Sequence, residues 1–138
     1  DIENYLLENY TVAAFEKELS DPNGNYYLLY AEEQLVGYSK MTFNSPSPDV
    51  PNDQITKLER IYLLKSHHGR GLGEALLQFN IDLAKTNNQQ GVWLYTWVEN
   101  KRAIAFYQKM GFEIVGTYDF RLSPTHTNPN WVMWLDFT

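Results

Sequence analysis

Apolar residues change their spacing several times along the chain, and each change marks an element. Ile2, Tyr5 and Leu6 fall at helical spacing, and Val12, Phe15 and Leu19 repeat it after Thr11, a suitable N-cap, so 2–20 is predicted as helix in two pieces. Asp21-Pro22-Asn23-Gly24 ends it with turn chemistry. Tyr26 to Ala31 and Leu35 to Phe43 are strand-like runs joined by Glu32-Glu33-Gln34, the pattern of an antiparallel hairpin. Asn44 to Asp53 holds Pro46, Pro48 and Pro51 and is predicted as a surface loop, either a wall of an acceptor site or a plain connector. Gln54 to Leu64 is the next strand, with Leu58, Ile61, Leu63 and Leu64 as its apolar content.

Helical spacing returns over Glu74 to Lys85, where Leu72, Ala75, Leu76, Phe79 and Leu83 are predicted to face the core and Gln78, Asp82 and Lys85 to face out. Val92 to Val98, rich in β-branched and aromatic residues, reads as a buried strand. Strand, helix and strand in this order imply parallel neighbours joined by a right-handed crossover. A second helix is predicted from Lys101 to Met110, with Ala103, Ile104, Phe106, Tyr107 and Met110 as its less polar positions and Gly111 as a left-handed cap. Phe112 to Gly116, Tyr118 to Leu122 and Trp131 to Phe137 are the last strands, with Ser123 to Asn130 as a turn-rich loop. The 138 residues form one α/β domain without repeats or linkers.

Composition narrows the chemistry. Hydrophobic residues make up 43% and aromatics 15%, which excludes disorder. The absence of cysteine excludes disulfides, thiolate metal sites and a cysteine nucleophile. No apolar run approaches the roughly 20 residues of a membrane span, so a cytoplasmic protein with no membrane partner is expected. The net charge of −6 argues against nucleic acid as a partner. Residues 1–56 carry ten acids and two bases, a balance of −8, whereas 57–138 carry seven acids and nine bases, a balance of +2. The acidic half either attracts a cationic substrate or simply solubilises its helices.

The anion site is expected in the other half, at His67-His68-Gly69-Arg70-Gly71-Leu72-Gly73. Three glycines in five residues permit close backbone approach and unusual φ/ψ. The first amides of the following helix lack partners within it and carry partial positive charge, so phosphate is the usual guest. A tight strand-to-helix connection is the alternative. Gly73 is followed by Glu74-Ala75, so the turn is not a nucleotide P-loop, and neither Gly69 nor Gly71 starts a Gly-x-Gly-x-x-Gly fingerprint. Adjacent His67 and His68 point apart, and nothing nearby completes a metal site.

His68-Gly69-Arg70-Gly71-Leu72-Gly73 resembles the acetyl-coenzyme A signature Gln/Arg-x-x-Gly-x-Gly/Ala of the GNAT family of N-acetyltransferases, departing from it at His68. Asn100, Ala103, Tyr107, Gly111 and Phe112 are similar to the same family's Asn-x-x-Ala-x-x-x-Tyr-x-x-x-Gly-Phe. The resemblance covers Leu58 to Phe112 strongly. It implies a mixed, mostly antiparallel sheet with a splayed parallel strand pair, flanked by helices, and a β-strand and a helix before Asp1. It also admits a homodimer.

The implied reaction is acetyl transfer from acetyl-coenzyme A, as co-substrate, to an amine by direct attack, without metal. The backbone of Ile61, Tyr62, Leu63 and Leu64 is implied to pair with the pantetheine arm. The turn at His68, Gly69, Arg70, Gly71, Leu72 and Gly73 is implied to hold the pyrophosphate, chiefly through amides, and Asn100 to hold the cofactor's amide or phosphate portion. Tyr107 stands at the family's position for the acid that protonates the departing sulfur; the alternative is packing beside Phe106. Glu59 stands where some members carry a base for the amine; the alternative is surface pairing with Arg60 or Lys57. Tyr26, Tyr27, Tyr38, Tyr62 and Trp97 are candidates to line an amine pocket by cation–π contact, or else belong to the core. Residues 58–65, 97–101 and the tail after Gly116 look most like bacterial spermine/spermidine-type acetyltransferases, which points to a polyamine. The two motifs do not distinguish polyamines from protein N-termini, lysines or other small amines, nor an enzyme from a non-catalytic acetyl-coenzyme A sensor.

Overall fold

The computed structural model describes residues 24–31, 33–69 and 71–138. The helices expected over 2–20 lie outside the described residues, as does Arg70. The elements are β1 (Gly24–Ala31), β2 (Gln34–Thr42), β3 (Thr56–Leu63), a 3-10 turn (Lys65–His67), α1 (Leu72–Thr86), β4 (Gly91–Trp97), α2 (Lys101–Lys109), β5 (Glu113–Ser123) and β6 (His126–Asp136). The strands form one sheet in the order β1-β2-β3-β4-β6-β5. It is the mixed, mostly antiparallel sheet that the sequence implied.

Two irregularities shape its centre. Between β2 and β3 the register passes from Lys40↔Arg60 to Met41↔Leu58, so Glu59 is an extra residue, a bulge that bends β3. Next to it, β3 and β4 run parallel and pair at Thr56↔Val92 and Lys57↔Trp93, then continue to Leu63 and Trp97 without further pairing. The sheet opens there, although β4 stays fully paired with β6 on its other edge, from Gly91↔Asp136 to Trp97↔Asn130.

Both helices cover one face of the sheet. Leu77, Ile81 and Ala84 of α1 and Tyr107 of α2 join Met41, Leu58, Val92, Leu94 and Met133 in one core cluster. The buried stripe of α1 is Leu76, Leu77, Asn80, Ile81 and Ala84, which corrects the expected one. Ala75 is exposed, and so is Phe79, which covers Tyr27 with ring centroids 5.3 Å apart. The helix is rotated because Asn80 belongs inside. Its Oδ1 accepts from Ser39 Oγ at 2.9 Å and its Nδ2 donates to the Leu76 carbonyl at 2.9 Å, so a polar residue fills a core position without an unpaired group.

The opposite face carries a second cluster, Val50, Ile55, Trp93 and Val132. It is covered by the proline-containing loop, pinned where Trp93 Nε1 donates to the Ser45 carbonyl at 2.7 Å and Gln89 exchanges two hydrogen bonds with Asn44. The expected loop over Ser123 to Asn130 is instead mostly strand: β5 runs unbroken to Ser123 and β6 starts at His126. Ser123 Oγ accepts the Thr125 and His126 amides, closing a tight hairpin. Pro129 is tolerated in β6 because it lies just past the last β4 pair, where its carbonyl accepts Val98 N–H at 3.1 Å.

Candidate active site

The unpaired edge of β3 has a definite polarity. Leu64 N–H donates to the Val36 carbonyl at 2.7 Å, so Leu64, and by alternation Tyr62, direct their backbone groups toward β2. Ile61 and Leu63 direct theirs into the opening. His68 Nε2 lies 3.0 Å from the Leu63 carbonyl, and because a carbonyl only accepts, that nitrogen carries the proton. The His68 ring therefore folds back onto the end of β3, leaving the Ile61 N–H and C=O and the Leu63 N–H as the groups on the open edge.

The glycine turn continues this edge. Gly69 and Gly71 adopt φ of +81° and +76°, a region that side chains with a Cβ rarely enter. A Cβ at either would meet nothing within 4 Å, so conformation, not crowding, requires glycine, and the space above the turn is open. The first bond of α1 runs from Ala75 N–H to the Gly71 carbonyl at 3.1 Å, and no side chain caps the helix. The amides of Leu72, Gly73 and Glu74 are thus the unpaired, partially positive end of α1. Gly73 is bound by neither constraint: a Cβ there would stand at an ordinary 3.8 Å from the Phe106 ring of α2.

A cavity of about 440 Å³ joins these parts, lined by Ile61, Tyr62, Leu63, His68, Gly69, Gly71, Gly73, Asn100 and Tyr107 among the expected residues. Leu64, Leu72 and Glu59 are not in its wall. Glu74, Arg102, Ala103 and Phe106 line it as well. Of these, Arg102 is one of two cations between Asn100 and Ala103, and the sequence held no signal to choose it over Lys101. Asn100 caps α2 by accepting from Ala103 N–H at 3.2 Å through Oδ1, and its Nδ2 has no partner among the described residues.

Tyr107 both packs and reaches the cavity. Its ring lies between Phe106 and Phe112, with centroids 5.4 and 5.7 Å away, and the residue is 9% exposed. Burial pushes its phenol up to about 12. The hydroxyl therefore keeps its proton at neutral pH, and no hydrogen bond engages it among the described residues. On β4, Thr96 Oγ1 is the one buried side-chain polar atom without a hydrogen-bond partner among the described residues. By alternation with Val92 and Leu94, Thr96 faces the helices, beyond the last β3–β4 pair.

The structure divides the candidate aromatic pocket. Tyr26, Tyr38 and Tyr62 form a row on the face away from the helices, with successive centroids 6.3 and 5.8 Å apart, and Arg60 Nη1 donates to Tyr26 Oη at 3.4 Å. Tyr27 packs on the helix face, and Trp97 is 46% exposed at the end of β4. Glu59 lies 2.9 Å from Lys57 Nζ. Among the described residues no cluster of His, Cys, Asp and Glu is placed to hold a metal ion, and no helix is long and apolar enough to cross a membrane.

With this geometry in place, comparison with known proteins gives a consistent result. The Acetyltransferase (GNAT) family matches over residues 2–112. An uncharacterised N-acetyltransferase of Mycobacterium tuberculosis is 32% identical over 127 residues, covering 92% of this chain and 77% of the relative. The N-alpha-acetyltransferase RimI of the same organism is 31% identical over 104 residues, covering 75% of this chain and 61% of that protein. In fold, the chain is similar to the Escherichia coli ribosomal-protein-S18-alanine N-acetyltransferase, with a TM-score of 0.72 at 18% identity over 94% of this chain and 78% of that one. A Bacillus anthracis structure described as a streptothricin acetyltransferase, in complex with acetyl coenzyme A, gives a TM-score of 0.72 at 25% identity over 89% of this chain and 68% of that one. The chain belongs to the acetyltransferase (GNAT) family, a family of acyltransferases.

Proposed function

We propose that the chain transfers the acetyl group of acetyl coenzyme A to a primary amine by direct attack. The observation that carries this reading is the β3–β4 opening, which leads from the unpaired groups of Ile61 and Leu63 to the left-handed Gly69 and Gly71, with Tyr107 in the same wall. The residues fit the co-substrate. Backbone groups on an open strand edge suit the amides of a pantetheine arm, and unpaired helix amides with Arg102 beside them suit a pyrophosphate. Asn100 Nδ2 is a further donor toward the same ligand.

When bound, acetyl coenzyme A supplies an activated acetyl thioester. Ile61 and Leu63 hold it in the opening, and the turn from His68 to Gly73 anchors it through amides, His68 contributing its backbone while its ring secures the turn. Tyr107 gives its proton to the departing sulfur, a role for which a protonated phenol is suited. The attacking amine gives up its proton to water; Glu59, which stands where some family members carry a base, is engaged by Lys57 at 2.9 Å.

For the acceptor, a polyamine such as spermidine or spermine is the reading that the likeness to spermine/spermidine-type enzymes and the acid-rich residues 1–56 support. The likeness to RimI favours a second reading, acetylation of a protein N-terminus. Free thiol released from acetyl coenzyme A, measured with spermidine, spermine, peptides with free N-termini and lysine peptides, separates them. Release with the polyamines alone supports the first, and release with N-terminal peptides alone the second. Binding of acetyl coenzyme A without release across the panel would leave a sensor and overturn the enzyme.

A further inference from the structure

On the face away from the helices, directly below the opening, an ammonium group is already held. Lys57 Nζ lies 2.9 Å from Glu59 Oε1, 5.4 Å from the Trp93 ring centroid and 5.1 Å from that of Tyr95. One carboxylate and two aromatic faces around a cation are a recognition site for an ammonium. The position is fixed by the fold: Lys57↔Trp93 is the last pair joining β3 to β4, so the ammonium sits at the floor of the opening.

The surroundings extend the site outward. Tyr95 packs against Tyr118 and Phe120, with centroids 5.5 and 5.0 Å away, and Tyr118 and Phe120 are 48% and 37% exposed. Asp49 lies against Gly116 of β5, where a Cβ would collide with its carboxylate. Burial raises the Tyr95 phenol above its usual range, and the neighbouring Tyr118 and the carboxylates of Asp49 and Glu59 add to it.

We propose that Glu59, Trp93 and Tyr95 form a seat for a non-reacting ammonium of the acceptor, and that Lys57 is its resident placeholder, displaced when the acceptor binds. An amine must be uncharged to attack a thioester, whereas this seat stabilises charge. The acceptor it selects therefore carries a second cationic nitrogen besides the one acetylated, as diamines and polyamines do. This rests on the acetyltransferase reading for its biological meaning, but the seat is testable without turnover.

The test is calorimetric titration of spermidine, with butylamine as the monocation control, into the wild type, Lys57→Met and Lys57→Met/Glu59→Gln. Removing the placeholder should tighten spermidine binding at least fivefold and leave butylamine within twofold, and the second substitution should abolish the gain. Unchanged or weaker spermidine binding in a folded Lys57→Met, checked by circular dichroism and repeated in Lys57→Gln, overturns the proposal and makes the pair a structural ion pair. Thiol release by the wild type is measured in parallel. Its absence with every amine overturns the enzyme reading but not the seat, and its presence without the affinity gain does the reverse.

Discussion

The two sides of the β3–β4 opening offer charge in different ways. Toward the helices, the groups available to the co-substrate are mostly main-chain: the Ile61 and Leu63 edge and the first amides of α1, with Arg102 and Asn100 as the side-chain exceptions. On the other face, the groups available to a cation are side chains from different strands: Glu59 from β3, Trp93 and Tyr95 from β4. A main-chain site depends on backbone conformation and tolerates most side-chain changes except where φ is positive. A side-chain site depends on every residue that forms it, and one substitution can redirect it. One fold can thus keep a constant donor side while its acceptor side varies.

The largest expected effect is at Tyr107, the one side chain on the donor side assigned a proton transfer. Tyr107→Phe should lower kcat about 100-fold while leaving the KM for acetyl coenzyme A within about twofold. Unchanged kcat would remove the assigned role. The phenol also predicts a stability profile. An unfolded tyrosine loses its proton near pH 10, whereas the folded one holds it to about 12, so the folded state binds more protons between these values and stability falls as pH rises through them. About two units of difference correspond to roughly 2–3 kcal/mol, which Tyr107→Phe should not lose over that interval in urea melts.

Next in size is the backbone itself. Gly71→Ala places a Cβ at a φ of +76°, at a cost of about 1–2 kcal/mol, and should weaken acetyl coenzyme A binding roughly tenfold as the turn relaxes. Gly73→Ala is the internal control: it lies within α1, its Cβ would meet the Phe106 ring at an ordinary 3.8 Å, and alanine favours the helix by nearly 1 kcal/mol. Binding should stay within about twofold there. Equal losses at both positions, measured by fluorescence titration, would show that the turn acts by space and not by conformation.

The same division explains what the sequence disclosed. Local signals are enough for some features: the glycine turn, the parallel strand pair and the left-handed Gly111 were legible from residues close together in the chain, whereas the capping of α2 by Asn100 was not anticipated. Where a residue's place depends on partners far away, it was not. Asn80 stood outside the expected core stripe of α1 and is buried, where Ser39, forty-one positions earlier, meets it. Pro129 looked like loop and lies in a strand because β4 ends beside it. The five candidate aromatics could not be divided between the two faces without the register, and the contact of Lys57 with Trp93 and Tyr95 follows from β3 lying next to β4.

The smallest expected effect lies between the two sides, at Thr96. Its hydroxyl is 4% accessible as a residue and lacks a partner among the described residues, whereas buried hydroxyls ordinarily have one. If it contributes nothing but shape, Thr96→Val, nearly isosteric, should stabilise the protein by about 1 kcal/mol, because it removes an unsatisfied polar group. Its place on β4 beyond the last pair with β3, facing the helices as Leu94 does, makes a second outcome measurable. A hydroxyl left unpaired in the free protein for use during turnover should show both effects in Thr96→Val: a higher Tm and a lower kcat. Stabilisation without loss of rate would confine the donor side to the main chain, Arg102, Asn100 and Tyr107. Stabilisation with a loss of three- to tenfold, roughly the value of one neutral hydrogen bond, would add a side chain to it.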